Sequence, residues 1–119
     1  MLKDVTLVIT SCNRLDLLEA TLSSIGKGAL DSIPPKIIID DSGASGVRDY
    51  FSKFGGEWKI ILNKDNIGQP KSVDKAYSYV TTPYVFHCED DWLFESPMNF
   101  EACIDILESD ESLLQVTSR

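Results

Sequence analysis

The chain has 119 residues and a mass of 13.3 kDa, enough for one domain with a single core and too little for two. Hydrophobic residues at 43% and charged residues at 25% argue against a disordered, collagen-like or disulfide-dense chain. Acidic residues outnumber basic ones 19 to 11, a net charge of -8, which argues against nucleic acid or anionic lipid as a partner. Any phosphate ligand then needs a metal ion or local donors to offset the bulk charge. Cys12, Cys88 and Cys103 are odd in number and lack metal-ligand spacing, so a reducing compartment is expected. With no leader pattern and no apolar run near the roughly 20 residues of a membrane helix, a cytoplasmic protein without an integral membrane segment is expected.

Val5 to Thr10 is an unbroken apolar and β-branched run, the pattern of a strand buried on both faces. After polar Ser11, Cys12, Asn13 and Arg14, the residues Leu15, Leu18, Leu22 and Ile25 recur at helical spacing, with Gly26 as a stop. Pro34 and Pro35 precede a second buried strand, Ile37 to Ile39, which runs into the turn-forming Asp40, Asp41, Ser42 and Gly43. Val47 to Phe54 reads as a short helix, and Trp58 to Leu62 as a third strand. Asn63 to Gln69 is a polar loop. Pro70 then opens a helix whose apolar face is Val73, Ala76, Tyr77 and Val80. Tyr84 to Cys88 is a fourth strand ending in Glu89, Asp90, Asp91 and Trp92. Ser96 resembles an N-cap with Pro97 at N1, ahead of a stripe of Phe100, Cys103, Ile104 and Leu107. Leu113 to Thr117 reads as a fifth strand.

Strands alternating with helices predict an α/β fold: a mainly parallel sheet, right-handed crossovers, and helices on both faces. Ligands of such sheets collect beyond the carboxyl ends of the strands. Thr10 to Arg14, Asp40 to Gly43 and Glu89 to Trp92 all follow strands, so one rim should gather them. No GxGxxG or GxxxxGK[ST] follows the first strand, which removes the usual dinucleotide and P-loop signals. Asp90 and Asp91, beside Glu89, suit a hard divalent cation that leaves positions open for phosphate oxygens. Asp40 or Asp41 suits acceptance of hydrogen bonds from a base or ribose, or else simply caps a turn.

The segments V5-T-L-V-I-T-S-C-N-R14, I37-I-I-D-D-S-G43, N66-I-G-Q-P-K-S-V-D-K-A-Y77 and Y84-V-F-H-C-E-D-D-W92 resemble, in order and spacing, the N-terminal part of a family 2 glycosyltransferase with the GT-A fold. No one of the segments is specific alone; the four in order are considerably stronger evidence. The resemblance implies a Rossmann-like nucleotide-binding half that takes a nucleoside-diphosphate sugar, a UDP-sugar in the first instance. It implies that Thr10, Ser11, Cys12 and Arg14, together with Asp40 and Asp41, line the nucleotide pocket, and that Asp90 serves ribose and metal. Asp91 becomes the leading ligand for Mn²⁺ or Mg²⁺. Asn66 and Gly68, in the loop before the Pro70 helix, and Lys71 on that helix complete the nucleotide set. Cys12 stands where many relatives place a Tyr that stacks on uracil, and E-D-D-W stands for a plain D-x-D.

In that family the acceptor half and the catalytic base follow the metal motif. The expectation is therefore a donor-binding portion of a longer transferase, with no base assignable and the acceptor-binding portion absent. The complete enzyme would transfer the sugar to an acceptor hydroxyl with inversion. Two other classes remain open: a phosphoacceptor signalling domain, and a non-catalytic interaction domain with an acidic rim. Residue by residue, His87 reads as a packed histidine within an apolar strand, Lys71 and Lys75 as a solvated helix face, Trp92 as packing on the sheet end, and Cys12 as no nucleophile.

Overall fold

The computed structural model describes residues 4–33, 35–95 and 100–110. Its elements run β1 (Val5–Ser11), α1 (Leu15–Ile25), α2 (Lys27–Asp31), β2 (Lys36–Asp40), α3 (Gly46–Phe51), β3 (Trp58–Leu62), α4 (Gln69–Tyr77), β4 (Tyr84–Glu89) and α5 (Phe100–Ser109). The strands form one four-stranded sheet in the order β3-β2-β1-β4. Every pairing is parallel. The Ser96 cap, Pro97 and the Leu113 to Thr117 strand lie outside the described residues.

Burial explains the order. β1 and β2 are buried along their whole length, as their continuous apolar runs require of central strands, whereas β3 and β4 are partly exposed. One face of the sheet packs Val5, Leu7, Ile9 and Ile38 against Leu18 and Ile25 of α1, Val47 and Phe51 of α3, and Phe100 of α5. The other packs Val8, Ile37, Ile39 and Ile61 against Ala76 of α4. Helices thus cover both faces. Each fully buried isoleucine removes enough apolar surface from water to contribute roughly 1.5–3 kcal/mol.

Two elements differ from the sequence reading. Between Gly26 and β2 lies a single extra turn, α2, which periodicity could not reveal because five residues including Gly28 show no repeat. Lys36, buried at the start of β2, donates from Nζ to the carbonyls of Leu30 (3.0 Å) and Ile33 (2.8 Å), so its buried ammonium is satisfied by the chain that leaves α2. Of the expected α4 face, Ala76 is buried and Val80, just past the helix, packs against the same cluster, whereas Tyr77 is exposed and Ser72 takes the second buried place in the helix. Small residues at this i, i+4 pair let the helix lie close on β1 and β2. No helix among the described residues is long and apolar enough to cross a membrane.

Candidate functional site

The register brings the strand ends level. Ser11 pairs with Asp40 and Thr10 with Glu89, so the loops after β1, β2 and β4 leave the sheet side by side. The strand order changes direction at β1, the position where doubly wound sheets open a crevice. A cleft of about 250 Å³ lies there. Thr10, Ser11, Cys12, Arg14, Asp41, Asn66, Gly68 and Asp90 line it, joined by Ile39, Gln69, Ser72 and Glu89. Asp40, Lys71 and Asp91 are not in the lining. Thr10, Ile39 and Glu89 share the α4 side of the sheet, and the first turn of α4 closes that side of the cleft.

Asp40 is spent on the loops. Its Oδ2 accepts the backbone N–H of Asn13 (2.9 Å) and the Ser11 hydroxyl (3.3 Å), while Oδ1 accepts the Ser42 N–H (3.0 Å) and hydroxyl (2.5 Å). Four donors fill a carboxylate's capacity, and the residue is 1% exposed. Asn13 adopts φ 53°, a left-handed conformation that asparagine tolerates better than most residues. That turn sends consecutive N–H groups to different carboxylates, Asn13 to Asp40 and Cys12 to Asp90 (3.3 Å).

Asp41 organises the opposite wall. Oδ1 accepts the Asn63 amide (2.8 Å) and the Ile67 N–H (2.8 Å), and Oδ2 accepts the Gly68 N–H (2.9 Å). Burial alone would push this carboxyl up, but the Ile67, Asn63, Gly68 and Ser72 donors outweigh it and hold the group below its ordinary value. Oδ2 keeps acceptor capacity on a residue that borders the cleft. Asn63 is itself oriented by Lys75, whose Nζ donates to Oδ1 at 2.7 Å. Lys75 is therefore part of the cleft wall's support, not merely a solvated face.

The third loop is dominated by Arg14. Its Nε (3.2 Å) and Nη2 (2.5 Å) both donate to Asp90, and its Nη1 reaches Asp91 at 3.4 Å. The hydrogen bond to Asp90, more than its charge, raises the guanidinium above its ordinary value. The Asp90 carbonyl accepts the Thr21 hydroxyl of α1 at 2.8 Å, which fixes the motif's backbone. Across the cleft mouth Gln69 Nε2 donates to Glu89 at 2.7 Å. Gln69 and Ser72 escaped the sequence reading, although Pro70 near a helix start facing the rim was the signal available for them.

The remaining candidates sort by position. Cys12 is exposed, and its thiol is pushed up by burial and then by Asp40, Asp41 and Asp90, which disfavours a nucleophilic thiolate. His87 shares the α4 face with Val8 by register and pairs its Nδ1 with the Tyr77 hydroxyl at 2.9 Å. Burial lowers its pKa, as expected of a packed histidine outside the cleft lining. Trp92 differs from its reading: it is 44% exposed, because the following segment is anchored through the Phe94 N–H to Ser24 Oγ (3.1 Å) and Phe94 takes the packed position.

No family model and no curated protein matches the sequence. Among solved structures, the crystal structure of S. aureus TarS, a glycosyltransferase, aligns with a TM-score of 0.69 and 13% sequence identity. The alignment covers 91% of this chain and 20% of that one. The two share an α/β fold built on a parallel sheet, and the present chain spans about a fifth of the length of TarS. At this identity the likeness shows the fold alone.

Proposed function

We propose that the cleft binds the nucleoside diphosphate of an activated sugar, in the first instance a UDP-sugar, and that the chain is the donor-binding portion of a family 2-type glycosyltransferase. The observation that carries this reading is the convergence of three strand-end loops, distant in sequence, on one cleft. Asp41 stands on one wall and Arg14, Asp90 and Glu89 on the other. Asp41, with acceptor capacity left on Oδ2, would take an N–H of the base. The α4 end of the cleft, where Gly68 opens the helix, would receive part of the diphosphate. The fold shared with TarS favours glycosyl transfer over the other two classes. The phosphoacceptor alternative also meets an obstacle, since Asp40 and Asp41 are buried and already accept several hydrogen bonds each.

Among the described residues no group of three or more His, Cys, Asp or Glu side chains is placed to hold a metal ion, so a proposed Mn²⁺ or Mg²⁺ would rest on one carboxylate and the donor's phosphate oxygens. Asp91 fits, with a side chain 39% exposed and one long contact to Arg14, because such an ion takes one or two carboxylates plus phosphate oxygens. Asp90 fits only when Arg14 withdraws. When bound, the ion would supply Lewis-acid neutralisation of the departing diphosphate. Within this reading the chain's own residues orient the donor, and transfer to an acceptor hydroxyl is proposed for the whole enzyme.

Calorimetric titration with UDP in MnCl₂ at low salt tests the reading. Saturable heat and a raised melting temperature are expected. Neither heat nor a thermal shift would transfer support to the interaction-domain class. In the same assay Asp91→Ala should abolish the metal-dependent part of UDP affinity yet change unfolding free energy by no more than about 0.5 kcal/mol, as for other surface substitutions. Unchanged affinity would move the ion elsewhere.

A further inference from the structure

Behind the Asp41 wall, side chains from α4 and from the end of β3 form one chain of contacts. Lys75 Nζ donates to Asn63 Oδ1 (2.7 Å), and the Asn63 amide nitrogen donates to Asp41 Oδ1 (2.8 Å) and to Ser72 Oγ (3.2 Å). The sense of the amide is fixed at both ends: turned over, it would set its oxygen against a carboxylate and its N–H groups against an ammonium. Asn63 is 5% exposed, and its backbone N–H is tied to the Asp40 carbonyl (3.0 Å). The two oxygens of Asp41 are therefore unequal. Oδ1 accepts from Asn63 and from the Ile67 N–H (2.8 Å), which fills its lone pairs, whereas Oδ2 accepts the Gly68 N–H (2.9 Å) and keeps room for one more donor. The Ser72 hydroxyl, which also favours the ionised carboxylate, is a rotor and turns to suit a ligand.

We infer that Asn63, oriented by Lys75, selects the base in the proposed donor site: by occupying Asp41 Oδ1 it leaves the wall a single open acceptor, which suits a base presenting one N–H, such as uracil, and rejects guanine. The inference rests on the nucleotide-binding reading above. Guanine presents N1–H and N2–H side by side, a pair that matches a carboxylate with one open position on each oxygen. Against Asp41 one member of that pair faces an oxygen already filled. A donor stripped of water and given no acceptor is costly, so discrimination comes from the refused contact as much as from the accepted one. Neither Asn63 nor Lys75 lines the cleft. Both act through Asp41, as positioning residues.

UDP and GDP share ribose and diphosphate, so the ratio of their dissociation constants, measured by calorimetry on the full chain in one MnCl₂ buffer, reports the base alone. Wild type should favour UDP at least about tenfold. Asn63→Ala leaves one donor on each Asp41 oxygen, Ile67 on Oδ1 and Gly68 on Oδ2, and the preference should shrink at least about tenfold. A residue that merely propped the wall would weaken both nucleotides alike and leave the ratio where it was. Lys75→Met removes the donor that fixes the Asn63 amide and should move the ratio the same way by about threefold or more. Lys75→Arg, which keeps a cationic donor, should hold it near wild type. Because Lys75 is exposed, its methionine variant keeps the test decisive where the buried alanine variant does not fold. A wild type without preference for UDP, or a ratio unmoved in Asn63→Ala or in Lys75→Met, overturns the selection. Binding of neither nucleotide by folded wild type overturns the nucleotide reading instead.

Discussion

Asp41→Ala is expected to lower the unfolding free energy by about 3 kcal/mol and to remove measurable UDP binding. The carboxylate is 6% exposed and collects the Ile67 and Gly68 N–H groups and the Asn63 amide. Alanine leaves the Ile67 and Gly68 N–H groups without an acceptor, at about 1–3 kcal/mol for each one that stays buried, and removes one of the two acceptors of the Asn63 amide. The full sum will not appear, because loop 66–68 borders the cleft and water can reach part of it. Asn63 also bonds Ser72 Oγ (3.2 Å) and Lys75, so its amide loses one partner of three. Urea denaturation with an unchanged m-value would register the stability loss, and calorimetry the binding loss. A stable variant with intact UDP affinity would show that loop 66–68 holds its shape without Asp41 and that the base is recognised elsewhere.

The same carboxylate sets an acid limit. Its pKa is depressed in the folded chain, so its contribution is complete above the unfolded value of about 3.9 and fades as pH falls through the lower folded value. Unfolding free energy should therefore decline from pH 5 toward pH 3 in wild type. The Asp41→Asn variant should lack the part of that slope which this group supplies. Parallel slopes in the two proteins would assign the acid sensitivity to other carboxylates.

The central sheet was legible because its signal is local: unbroken runs such as Val5 to Thr10 and Ile37 to Ile39 need burial on both faces, and β1 and β2 receive it. The convergence of Thr10, Asp41 and Asp90 was legible because crossover handedness and parallel strands leave one place for strand-end loops. What each carboxylate does there was not legible. Asp40 and Asp41 are adjacent and chemically identical, yet one ties the β1 loop and the other the loop before α4, with donors that are mostly backbone N–H groups carrying no residue signature. Helix α4 misled for a related reason. Apolar periodicity points to Val73, Ala76, Tyr77 and Val80, of which Ala76 and Val80 pack as expected, whereas close approach to the sheet selects the small Ser72 beside Ala76 and leaves Tyr77 exposed. That choice also swings Lys75 to Asn63. For Trp92 the sequence favours packing on the sheet end, whereas Phe94, anchored to α1, takes the packed place and Trp92 is exposed.

Gly43→Ala should be strongly damaging although it adds only one methyl group, lowering stability by about 2–4 kcal/mol and the melting temperature by on the order of 10 °C. Two costs add. Gly43 has φ 70°, where an L-residue meets a backbone penalty of about 1–2 kcal/mol, and its Cβ would strike the Lys64 carbonyl oxygen. That carbonyl cannot retreat freely, because neighbouring Asn63 is fixed by its N–H to the Asp40 carbonyl (3.0 Å) and by its amide to Asp41. The turn after β2 and the loop after β3 are thus packed backbone on backbone, and displacing one displaces the other. Gly46→Ala is the matching control: at a helix start with nothing within 4 Å of the added carbon, it should be neutral or stabilising by about 0.4–1 kcal/mol. Since Asn66 and Gly68 belong to the displaced loop and line the cleft, Gly43→Ala should also weaken UDP binding at temperatures where the variant remains folded. Lost stability with undiminished affinity would mean that the loop yields at Lys64 alone, and that Asp41 holds residues 66–68 in place independently of the turn beneath them.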